Sequence, residues 1–154
     1  DGERFLFLGQ EYPLRIVESA SKPLVFENGE FQLFQHSCYR ARTLFTEWYR
    51  HQAHRVIGER TMVFAEQHVL QFGRISIKDM RSRWGSCGPD GSLNFSVRLV
   101  LAPLSVIDYV VAHELAHLTH RNHSRAFWDT VAEMHPNYRQ DRRYLAKSGH
   151  QLEF

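Results

Sequence analysis

The sequence predicts an α+β domain in which β-hairpins and a meander pack on helices. Three observations carry that class. Short apolar runs separated by turn residues fill positions 4–34, a helical period free of Pro runs on from Tyr39, and capped helices follow a second set of strands. The length of 154 residues suits one compact domain and can bury a sizeable core without a disulfide. Within it, residues 1–70 supply hairpins and a helix, and residues 71–154 supply the part that carries the chemistry.

The elements can be justified in order. Phe5–Leu8 precedes Gly9, Leu14–Val17 follows Pro13, and Leu24–Phe26 leads into Asn28-Gly29, a strong hairpin turn before Phe31–Phe34. Leu44, Phe45, Trp48 and Tyr49 recur with a helical period between Tyr39 and Gly58. Gly58 is expected to break that helix, with a second one from Arg60 to Val69. Strand character returns at Arg74–Lys78 and near Trp84. The Gly88-Pro89-Asp90-Gly91 turn then leads to the alternating Leu93–Val97, an antiparallel arrangement. Pro103 and Ser105-x-x-Asp108 form a capping pattern that opens a helix reaching about Thr119. Further helices are expected from about Ser124 to Met134, and from Pro136 toward Lys147.

Composition excludes several classes. Hydrophobic residues at 43% and charged residues at 23% argue against disorder, and no apolar run is long enough to span a membrane as a helix. The net charge of +2 does not by itself name nucleic acid as a partner. Residues 74–154 hold 11 basic and 8 acidic groups, a mild bias. Two cysteines without CxxC spacing, Cys38 and Cys87, suggest a reduced, cytoplasmic setting rather than a disulfide scaffold. The chain opens with Asp-Gly-Glu and no signal segment, which reads as a fragment.

Histidine is the anomaly: 10 in 154, with His113, His117, His120 and His123 inside eleven residues. His113-Glu114-Leu115-Ala116-His117 lies in a helix inferred independently from its capping and periodicity. Residues four apart on a helix are about 40° apart around the axis and about 6 Å along it, so both imidazoles can reach one ion. Glu114, offset by one position, is placed to hold a water on that ion as general base. Zinc commonly takes three protein ligands and keeps a fourth position open. His123, just past the helix end, is the natural third ligand. At this composition, such a motif with a further histidine at the tenth position arises by chance about 0.003 times per chain. A closed structural zinc site is the alternative. It would recruit His120 or Cys87 and leave Glu114, in an apolar stretch, without a purpose.

The sequence also resembles a known family. Arg83-Trp84-Gly85-Ser86-Cys87, Leu93-Asn94-Phe95, Arg98 to Pro103, Ile107 to Val111, His113 to His117, Asn122-His123-Ser124 and Phe127-Trp128 are similar to motifs of the YgjP-like metallopeptidase-domain family. Those are bacterial proteins related to the SprT-like and WLM proteases. The resemblance covers about residues 74–147, with residues 1–70 similar to the family's middle region and its usual N-terminal segment missing. It implies a zincin-like fold, one zinc ion held by His113, His117 and His123, and Glu114 as catalytic base.

The expected activity is therefore zinc-dependent hydrolysis of a peptide or protein amide bond. Two rivals keep part of that picture. One attacks a nucleotide or other non-peptide substrate, with Arg81, Arg83 and Arg98 holding phosphates. The other is a nucleic-acid or partner-binding module with structural zinc, using the arginines of residues 40–55 and the basic 74–83 segment. Leu93–Val97 is expected to align an extended substrate by β-addition. Cys87 is expected as a small buried core residue, with an inhibitory thiolate ligand as its alternative. Phe127 and Trp128 are expected to pack beneath the site. Tyr109, Tyr138 and Tyr144 are further candidates to stabilise an oxyanion.

Overall fold

Apolar residues at alternating positions draw the first 34 residues into four strands, seen in a computed structural model that describes residues 1–154. They are β1 (Arg4–Phe7), β2 (Gln10–Val17), β3 (Leu24–Glu27) and β4 (Glu30–Phe34), in the order β1-β2-β4-β3. Both tight turns have two residues at positive φ. Asn28 and Gly29 lie at 52° and 74°, and Leu8 and Gly9 at 50° and 84°. The second is unusual for leucine and is held from outside. Leu8 N–H donates to Val100 O (3.0 Å) and Gly9 N–H to Leu101 O (2.9 Å). A Cβ at Gly9 would stand 2.8 Å from Pro103 Cγ.

The expected all-antiparallel pairing is corrected at two places. β2 and β4 run parallel, because the β3–β4 hairpin turns back so that its second strand, carrying the buried Phe31 and Leu33, lies beside β2. In the second sheet β5 (Ile75–Lys78), β6 (Gly85–Cys87) and β7 (Leu93–Ser96) take the order β5-β7-β6, with β5 and β7 parallel. Leu93 and Phe95 are fully buried, so the most apolar strand takes the centre.

A 3₁₀ segment (Gln35–Arg40) leads into α1 (Ala41–Gln67), a single helix of 27 residues. The expected break at Gly58 does not occur. Glycine in a helix costs about 1 kcal/mol relative to alanine, and the flanking Val56, Ile57, Thr61 and Phe64 are all buried. Packing outweighs that local cost. An aromatic cluster of Phe5, Phe7, Phe26, Phe31, Phe45 and Trp48 seals the first sheet onto α1, and Tyr49 O–H donates to Leu6 O across it.

A second 3₁₀ segment (Val97–Leu101) precedes α2 (Leu104–Ala116). The predicted capping box at its start does not form. Ser105 Oγ–H instead donates to Asp141 Oδ1 (3.0 Å), and Asp108 accepts a two-pronged contact from Arg60 (2.7 and 3.1 Å). α3 (Arg125–Met134) begins as predicted, with Ser124 accepting from Phe127 N–H. α4 (Tyr138–Ser148) follows Pro136. α2 buries Val106, Ile107, Val110, Val111, Ala112, Leu115 and Ala116, and α1, β6, α3 and α4 surround it. One continuous core joins both halves of the chain. No helix is long and apolar enough to cross a membrane.

Two glycines give opposite expectations. A Cβ at Gly58 meets nothing within 4 Å, so Gly58→Ala should stabilise the protein by about 0.5–1 kcal/mol. Gly9→Ala should destabilise it by more than about 1 kcal/mol, through its positive φ and the Pro103 contact. Urea midpoints at a common m-value decide the matter. Equal effects of the two substitutions would contradict this account.

Candidate metal centre

The last turn of α2 carries His113 and Glu114, and His117 caps its C-terminus with helical φ and ψ. The four-residue spacing of His113 and His117 brings the two imidazoles together edge to face, with ring centroids 5.0 Å apart. The chain then turns tightly, with Thr119 and His120 N–H donating back to Ala116 O. This returns His123 to the same spot, 5.2 Å from His113 and 5.0 Å from His117 between centroids. One ligand atom from each of the three lies within 4.8 Å of the others. The structure brings this predicted trio together, while His120 and Cys87 stand outside it.

Second contacts set the rings. His117 Nδ1 is 3.0 Å from His120 O. A carbonyl can only accept, so Nδ1–H donates to it and the lone pair of Nε2 is left free to hold an ion. His120 thus serves the site through its backbone. His113 Nδ1 lies 3.2 Å from Glu114 Oε2. Beneath the trio, the fully buried Phe127 ring sits 4.5–5.0 Å from all three imidazoles, and Trp128 is 5.8 Å from His113. The packing role expected of both is present. Partial loss of solvent around the otherwise exposed His123, then the neighbouring His113 and His117, hold its pKa below the ordinary value. Neutral imidazole is the ligating form, so this favours ion binding. Three imidazoles with an open fourth side fit a zinc-type donor set.

Glu114 is 5% exposed and pressed against β6. A Cβ at Gly85 would lie 3.0 Å from Glu114 Cγ and 3.1 Å from its Oε2. Only glycine leaves the carboxylate its place. Sequence reasoning saw strand character near Trp84 and missed this role. A glycine inside a strand, the mark of a close approach, was the available signal. The strand expected to receive an extended substrate also changes. β7 is paired on both sides, so Leu93–Val97 offers no free edge, whereas β6 is an edge strand beside Glu114.

A cleft of about 290 Å³ opens over the trio, walled by Arg83, Ser86, Cys87 and Arg121. Cys87 is a half-buried wall residue here rather than a core filler. Burial pushes its thiol pKa up, opposite to what a thiolate ligand needs. Of the three arginines considered for anions, Arg81 and Arg98 both approach Asp79 at 3.7 Å, and Arg83 alone borders the trio. Tyr109 lies edge-on to His113, and burial pushes its hydroxyl pKa up to about 12. Tyr138 stacks on Trp128. Tyr144 does not line the cleft. A further group escaped sequence reasoning: buried Asp141 accepts from Ser105 on α2 and pairs with His135 Nε2 at the end of α3. It ties three helices together behind the site.

The Gly85–Glu114 contact is testable. Gly85→Ala should cost about 1–3 kcal/mol, the usual scale of overpacking, and a crystal structure should show Glu114 rotated away from β6. An unmoved Glu114 with unchanged stability would refute the steric argument.

The chain is similar to proteins of known structure and to a known family. The metallopeptidase zymogen abylysin of Pyrococcus abyssi has a crystal structure similar to this chain, with a TM-score of 0.53 at 18% identity, covering 59% of this chain and 93% of that one. The metallopeptidase zymogen jannalysin of Methanocaldococcus jannaschii is similar at a TM-score of 0.53 and 16% identity, covering 59% and 94%. At such identities the likeness establishes the fold, a zincin-like α+β arrangement. No curated protein sequence matches the chain significantly. The profile of the YgjP-like, metallopeptidase domain family matches residues 1–148, well beyond the 74–147 stretch whose motifs first carried the resemblance. The match takes in both sheets and all four helices, and the chain therefore belongs to the YgjP-like metallopeptidase-domain family.

Proposed function

We propose that the protein is a zinc-dependent peptidase that holds one ion by His113, His117 and His123 and uses Glu114 as general base. The observation that carries this reading is the convergence of three imidazole nitrogens within 4.8 Å beside a nearly buried carboxylate, under an open cleft. When bound, zinc supplies Lewis acidity, polarising the scissile carbonyl and acidifying water.

The chain's own groups do the rest. Glu114 accepts a proton from the attacking water at a carboxylate oxygen and returns it to the leaving amine. Its contact with His113 Nδ1 and the wall at Gly85 hold that carboxylate in one place. The edge of β6, where Arg121 already holds the Cys87 carbonyl, can pair through its remaining outward groups with an extended substrate backbone, fixing the scissile bond over the cleft. Phe127 and Trp128 close the floor against water. Free Cys38 and Cys87 support a reducing, cytoplasmic setting.

Elemental analysis should give about one zinc per chain. His123→Ala should release much of the metal. His120→Ala should retain it, because only the backbone oxygen of that residue is used. The opposite pattern would reassign the third ligand.

A panel of peptides, proteins and nucleotides identifies the substrate. On it, Glu114→Gln should keep zinc and melting temperature while losing turnover by at least about a hundredfold, the scale of general-base catalysis. Near-normal turnover in that zinc-loaded variant would remove Glu114 from the mechanism. Hydrolysis of nucleotides alone would replace the peptide by a phosphate ester or anhydride.

A further inference from the structure

We propose that Arg83 and Arg142 form a carboxylate-selecting subsite beside the metal centre, which takes an acidic side chain of a peptide substrate. This rests on the peptidase reading and adds a substrate preference to it. The cleft over the histidines continues past Glu114 into a recess of about 260 Å³. Arg83 borders both spaces, Arg142 lines the far wall, and Trp84, Tyr109 and Leu145 supply apolar surface between them.

The two guanidinium groups differ from the other arginines nearby. Arg81 and Arg98 share Asp79, and Arg121 donates to the carbonyls of Cys87 and Gly88. Arg83 and Arg142 have no carboxylate within 4.0 Å and no hydrogen-bond partner in the protein. The one acid lining the recess, Glu114, faces His113. Arg142 is also held in place: its guanidinium lies 4.6 Å over Trp128, which stacks on Tyr138 at 5.3 Å. A stacked guanidinium presents its donors with little further loss of rotamer freedom. Arg142, held in this way, and Arg83, at the junction of the two spaces, flank a partly apolar recess that attracts a carboxylate and repels a lysine or arginine side chain. The volume points to the ligand's size. The recess has room for one side chain, and the cleft joined to it has room for the adjoining peptide backbone.

The test measures binding separately from turnover. Short capped peptides carrying Glu, Gln or Lys at successive positions are titrated into zinc-loaded Glu114→Gln protein at low salt, with tryptophan fluorescence as readout. At one position Glu should bind at least about tenfold more tightly than Gln, with Lys weakest. Arg83→Gln and Arg142→Gln should each reduce that preference by at least about threefold. Arg55→Gln, which removes the same charge from the exposed face of α1, should leave it unchanged. Equal binding of Glu and Gln peptides, a preference that survives both subsite substitutions, or an equal loss in Arg55→Gln would overturn the proposal. So would tight binding of inorganic triphosphate with no preference among peptides. If the wild-type enzyme cleaves no peptide while the Glu preference persists, the peptidase reading fails and the carboxylate site stands. If it cleaves peptides without that preference, the subsite fails and the peptidase stands.

Discussion

Burial of α2 is the constraint on which the remaining architecture depends. The helix is apolar around nearly its whole circumference, with Ile107, Val111, Ala112, Leu115 and Ala116 fully buried. Such a helix is stable only when other elements surround it. α1 covers one side, α3 and α4 another, and β6 lies against the turn that carries Glu114. Each covering element also shapes the site. β6 positions the carboxylate, α3 brings Phe127 and Trp128 under the histidines, and α4 brings Arg142 to the rim. Core packing and site geometry are therefore set by the same contacts.

Polar braces fix what apolar packing alone would leave free to slide. Arg60 on α1 grips Asp108 on α2 through two hydrogen bonds, and Asp141 joins Ser105 and His135 behind the site. A buried carboxylate is tolerated when partners satisfy it, and no buried side-chain polar atom lacks one. These contacts fix the rotation of α2 about its own axis. That rotation determines whether His113 and His117 point at the cleft or into the core.

The legible features of the sequence were the local ones. His113, Glu114 and His117 fall on one stretch of helix, and His123 follows after a short turn, so spacing alone predicts the cluster. Asn28-Gly29 and Ser124 likewise announced their turn and cap. Features decided at long range were hidden. Asp108 and Ser105 looked like capping groups, but Arg60 and Asp141, distant in sequence, claim them. Gly58 looked like a helix break until core contacts on both sides carried the helix through. The parallel pairings of β2 with β4 and β5 with β7 depend on which strand is buried deepest, which alternation does not reveal. Gly85 was visible as a letter but not as the neighbour of Glu114.

The Leu8-Gly9 turn has a consequence for synthesis of the chain. Its backbone amides bond to Val100 and Leu101, and its glycine fits against Pro103. About ninety residues separate the two sides of that contact. At a translation rate of about 5–20 residues per second, the turn leaves the ribosome roughly five to twenty seconds before its seat is made. The two hairpins of the first sheet can pair early, because their turns are short and local. Docking must wait for the segment that opens α2. Until then the sheet can rest only on α1, whose Phe45 and Trp48 cover Phe5 and Phe7, and the Leu8-Gly9 turn keeps its two amides unpaired and open to other strands.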